Sequence, residues 1–157
     1  MPDAPKNIEN FNLIVGLVLL QLYESFPVEH DIDEEKIANA IGVAKESSAE
    51  ELWPGQFIYN YGEVPGGGNF REFLWATLKW LRSEGIIRAR GDIADRDVVL
   101  SAVGLELMKR TPTSLGSSFG DKLVEAGKDI GTDVGKSALS NVVGEFTGYV
   151  AKGLMGG

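Results

Sequence analysis

Trp80-Leu-Arg-Ser-Glu-Gly-Ile-Ile-Arg88 and Val98-Val-Leu-Ser-Ala-Val-Gly-Leu-Glu-Leu-Met108 decide the fold. In the first stretch a helix runs to Gly85, which takes the C′ position, and an extended segment, Ile86 to Arg90, follows at once. In the second, the short apolar segment Val98 to Leu100 meets Ser101, an N-cap for a helix through Arg110 that Thr111-Pro112 stops. The polar run Gly91-Asp-Ile-Ala-Asp-Arg96 joins the two extended pieces, so the pair reads as a hairpin with a polar tip.

Working upstream, Asn69 caps the helix that ends at Gly85, with Glu72 three residues on, and Phe70, Phe73, Leu74, Thr77, Leu78 and Leu81 recur at helical spacing as its core face. Before it, Trp53 to Gly68 combines Trp53, Phe57, Tyr59 and Tyr61 with glycine and proline, an ordered loop or short hairpin. Ser47-x-x-Glu50 and Ser48-x-x-Glu51 are overlapping capping boxes that predict a helical turn or two up to Leu52. Asp33, followed by Glu34 and Glu35, starts a short helix closing at Gly42, and Val28 to Ile32 reads as extended. Asn10 to Phe26, apolar around most of its circumference and ended by Pro27, reads as a central buried helix.

The order helix, short strand, helix, helix, hairpin, helix, with the strand, Ser, x-x-Gly-Leu and helix run at its end, resembles the winged-helix superfamily over residues 8–112. The resemblance implies an α+β, mostly α domain with a small β-hairpin wing, in which the 69–84 helix is the recognition helix. One departure is an inserted segment at about 43–68, where relatives have a turn of a few residues.

The tail, 113–157, is glycine-rich yet periodic. Val134, Ala138, Val142, Phe146, Val150 and Leu154 fall at every fourth position, and Leu123, Ala126 and Ile130 extend the stripe upstream. This predicts an amphipathic helix. Strict four-residue spacing drifts by about 40° per step against a 3.6-residue turn, so the helix either wraps a partner or breaks, with Ser137 to Gly144 the expected place. Gly127, Gly131, Gly135, Gly144 and Gly148 would form a small-residue packing groove. Interior glycines cost roughly 1 kcal/mol each relative to alanine, so something outside the helix must stabilise it: its own domain, a second copy, or a membrane surface.

Composition narrows the chemistry. With no cysteine among 157 residues there is no disulfide, zinc finger, iron–sulfur cluster or thiol nucleophile, and with one histidine a Ser-His-Asp triad would rest on His30 alone. No catalytic residue, metal site, cofactor or small-molecule substrate is expected. Asp31, Asp33, Glu34 and Glu35 lack calcium-loop spacing, and Pro65-Gly-Gly-Gly68 lacks the Lys-Ser/Thr of a phosphate-binding loop. The longest apolar run, Leu13 to Leu20, is shorter than the roughly 18 to 20 residues of a membrane span, and the first residues lack a secretory pattern, so a cytoplasmic location is expected.

Net charge is −8, concentrated before residue 69, whereas Arg71, Lys79, Arg82, Arg88, Arg90 and Arg96 fall on the recognition helix and wing, where the resemblance places DNA contacts. Glu72, Glu84, Asp92 and Asp95 are interspersed and weaken a phosphate-binding patch. The leading expectation is a non-enzymatic interaction module whose tail mediates self-association or docking to a protein partner or membrane surface. The alternative is a sequence-specific DNA-binding regulator. Trp53, Phe57, Tyr59 and Tyr61 are a candidate partner patch.

Overall fold

A computed structural model describes residues 5–54 and 56–156, with the side chains of 46–53, 56–60 and 154–156 outside that description. The described chain is α+β and mostly helical. Its pillar is α1 (Lys6–Ser25), which buries Asn10, Ile14, Val15, Gly16, Leu17, Val18, Leu19 and Leu22 and therefore has neighbours nearly all round. Helices on several sides and a strand pack against it. Among the described residues no helix is long and apolar enough to cross a membrane.

Local capping sets most boundaries. Asp33 accepts from the Lys36 N–H at the start of α2 (Glu34–Ile41), and Gly42 ends that helix at φ 82°. Asn69 accepts from the Glu72 N–H to open α3 (Phe70–Ser83). Ser101 accepts from the Gly104 N–H to open α4 (Ala102–Lys109). Between α2 and α3 the chain forms a hairpin of β1 (Lys45–Trp53) and β2 (Gln56–Tyr61), antiparallel with Ala49 opposite Tyr59 and Glu51 opposite Phe57. The helical turn expected from the Ser47 and Ser48 capping boxes is therefore corrected to strand. A capping box is a signal within one turn, and the pairing of the nine-residue β1 with β2 overrides it.

The second sheet pairs β3 (Ile87–Arg90) with β4 (Arg96–Leu100) in antiparallel register, Ile87 opposite Leu100. The extended residue His30 joins β4 on its other side, exchanging backbone hydrogen bonds with Val98 at 3.1 and 2.9 Å. Gly104 lies where α4 crosses the α3–β3 junction, and a side chain there would run into the Ile86 carbonyl oxygen.

The tail forms two helices, α5 (Phe119–Gly127) and α6 (Asp133–Gly156). The break thus falls at 128–132, upstream of the expected Ser137 to Gly144. The stripe is corrected too: Leu139, Val142, Val143, Phe146 and Val150 are buried, while Val134 is 80% exposed and Ala138 is exposed. The buried set follows the true helical turn, and the strict fourth-residue stripe rotates into solvent at its N-terminal end. Phe119, Leu123, Leu139 and Phe146 belong to the same hydrophobic cluster as Ile14 and Leu22 of α1. Leu139 packs into the notch left by Gly16, where an added Cβ would lie 2.7 Å from it. Phe119 meets Phe146 edge-on at 5.6 Å and Tyr149 at 5.4 Å.

Candidate functional site

The six basic residues expected at a DNA surface are put to different uses. Arg71 donates from Nε to Glu34 at 3.1 Å, and its guanidinium lies 5.3 Å from the Tyr61 ring centroid; it ties α2, β2 and α3 together. Arg82 donates to the carbonyls of Gly91 and Asp92 and so holds the hairpin tip against α3. Arg90 pairs with Asp97 at 3.6 Å in an exposed position. Lys79, Arg88 and Arg96 are exposed.

Tyr61 is half-buried, its ring tilted at 55° against Phe70 with 5.2 Å between ring centroids. The other members of the aromatic patch, Trp53, Phe57 and Tyr59, have side chains outside the described residues. Burial and the nearby Glu34 and Glu35 carboxylates raise the Tyr61 pKa above 10.0, opposed by Arg71. A raised folded-state pKa stabilises the fold fully below the unfolded value and loses that contribution as pH climbs through the folded value. Stability is therefore expected to fall above about pH 10 with a slope that Tyr61→Phe reduces, measured by urea unfolding across pH 9 to 11.

The acidic run serves separate contacts: Asp33 caps α2, Glu34 holds Arg71, Glu35 pairs with Lys45 at 3.6 Å, and Asp31 accepts from the Asp97 N–H at 3.0 Å. Among the described residues no three such side chains converge as a metal site. His30 Nδ1 lies 2.7 Å from the Asp31 carbonyl oxygen, Nε2 is buried with no hydrogen-bond partner among the described residues, and the backbone forms the bridge to Val98.

The five glycines do not line one groove. Gly127 seats Leu20, and a side chain at Gly135 would collide with the Asp129 backbone; Gly131 lies in the turn between α5 and α6. An added Cβ at Gly144 or Gly148 meets nothing within 4 Å. These two stand on the face of α6 opposite its core residues, because they fall halfway round the wheel from Phe146.

That face borders a cleft of about 690 Å³ between the first turns of α1, the Pro65 turn and the start of α6, a size within the roughly 300–1,000 Å³ of small-ligand sites. Asn10, 3% exposed, donates from its amide to the Pro65 carbonyl at 2.7 Å. Across the cleft wall Asn12 donates to Ser140 Oγ at 3.3 Å. The sequence carried a faint signal for this place, polar Asn10 and Asn12 in an apolar helix and small polar residues in the tail, but nothing in it joins residues so far apart. Compared with known proteins, the chain matches no family model, no curated protein and no solved structure, so the functional reading rests on its own residues.

Proposed function

We propose that this chain is a non-enzymatic interaction module on a winged-helix scaffold spanning residues 8–112, at work in the cytoplasm, and that α6 docks a protein partner through the side opposite its buried residues, which borders the cleft against the first turns of α1. The order of α1, the His30 bridge, α2, α3, the β3–β4 wing and α4 supports the scaffold. The observation that carries the function is the two-sidedness of α6. Its apolar side is sealed on α1 and α5, so the tail is not a loose appendage. Its other side, with Gly144 and Gly148 open and Val134 80% exposed, is not packed against another helix or strand among the described residues.

The rival reading, a DNA-binding regulator, needs a phosphate-facing cluster. Arg71 and Arg82 are committed to intramolecular contacts and Arg90 faces Asp97, which leaves Lys79, Arg88 and Arg96 among neighbouring carboxylates. Three cations would neutralise few phosphates, and affinity for duplex DNA scales with that number. A fluorescence-anisotropy titration with random-sequence duplex at low salt tests this. No binding is expected. Binding that weakens steeply with added salt and is lost on Lys79→Ala with Arg88→Ala would replace the module by the regulator.

A further inference from the structure

We infer that the cleft between α1 and α6 takes an extended, lysine- or arginine-bearing peptide segment of the partner. This deepens the module reading above and rests on it. Three features point to the ligand's chemistry.

The first is charge. Of the side chains lining the cleft, Lys6 is held by Glu9 at 3.2 Å, which leaves Asp133 and Glu145 against Lys136. The cleft is thus acidic in balance, on a chain of net charge −8, and a cationic ligand is complementary to it.

The second is hydrogen-bonding type. Between Asp133 and Glu145 the α6 wall carries Ser137, Ser140 and Asn141, short hydroxyl and amide groups suited to peptide N–H and C=O. Ser140 already accepts from Asn12, so its hydroxyl proton is left to donate. Leu13, half-buried in the cleft lining, supplies apolar surface for the methylene stem of a lysine or arginine.

The third is access and length. Gly144 lines the cleft with open space where a Cβ would be, so a second backbone can come close. Asp133 and Glu145 lie roughly 18 Å apart along α6 at 1.5 Å per residue, the reach of an extended segment of about five or six residues.

The test is a calorimetric titration of the full chain with three capped hexapeptides, alanine-based, carrying lysine, glutamine or glutamate at the second and fifth positions. The lysine peptide is expected to bind at least tenfold more tightly than the glutamate peptide, with glutamine between them. Glu145→Gln and Asp133→Asn should each weaken the lysine peptide severalfold, and Gly144→Leu should abolish its binding while the thermal unfolding midpoint stays within a few degrees of the parent.

Equal affinity for the three peptides, no binding of any, or full binding by folded Gly144→Leu would overturn the proposal. So would spermidine displacing the lysine peptide at equal concentration, which would make the cleft a site for free polyamines. Silent peptides together with silent duplex DNA overturn the cleft assignment alone; salt-sensitive duplex binding that is lost on Lys79→Ala with Arg88→Ala overturns the module reading itself.

Discussion

Phe146→Ala is expected to lower the stability of the whole chain by about 3–5 kcal/mol, and removal of residues 113–157 is expected to leave a chain that does not fold. Phe146 is 1% exposed and meets Phe119 edge-on, so truncation removes both buried area and an aromatic contact and leaves a cavity. The tail as a whole supplies Phe119, Leu123, Leu139, Val143 and Phe146 to the core, each no more than 1% exposed. Each such side chain contributes about 1.5–3 kcal/mol on burial, against a total stability of about 5–15 kcal/mol for an ordinary domain. Without the tail, Leu20, Gly16 and Tyr23 of α1 would also lose the surfaces they pack on. Urea unfolding followed by tryptophan fluorescence measures the first effect, and near-ultraviolet circular dichroism the second. A loss under about 1 kcal/mol for Phe146→Ala would mean that α6 is not a core helix.

Gly104→Val should cost about 3 kcal/mol or more, because the added atoms would meet the Ile86 carbonyl oxygen, part of the backbone, rather than a side chain that can swing away. That carbonyl also accepts from the Ser101 N–H and hydroxyl, so displacing it disturbs the cap of α4 and the start of β3 together. The opposite sign is expected at Gly148→Ala, where open space surrounds the new methyl; replacing an interior helix glycine by alanine stabilises by roughly 0.5–1 kcal/mol. Both variants are read from the same urea titrations, and similar shifts for the two would contradict the packing described.

The contrast between these glycines shows what the sequence makes legible. Asp33, Asn69 and Ser101 are readable as caps because each bonds an N–H three residues on, a distance sequence spacing fixes. The β3–β4 hairpin is readable for a similar reason, two apolar pieces around a polar tip. The β1 strand is not, since its state depends on pairing with β2, and its Ser-x-x-Glu runs speak only for a local turn.

The tail is legible as helical and illegible as to face. Whether the first half of α6 turns Val134 and Ala138 of the four-residue stripe inward, or Leu139 and Val143 beside it, is settled by the notch at Gly16, more than a hundred residues away. Gly127 is at the right spacing for a helix–helix groove, yet it seats Leu20 of the same chain. The cleft is least legible of all, because Asn10, Pro65 and Ser140 come together only after every helix is placed.

Helix α6 is structural on one side, where Leu139, Val143 and Phe146 are buried, and open on the other at Gly144 and Gly148. Native-state amide hydrogen exchange of the full chain reads this residue by residue. Amides of residues 139–150 in α6 are expected to exchange with the same opening free energy as those of 14–22 in α1, as one cooperative unit. Exchange of the α6 amides at rates near those of an unfolded peptide, while α1 stays protected, would contradict it.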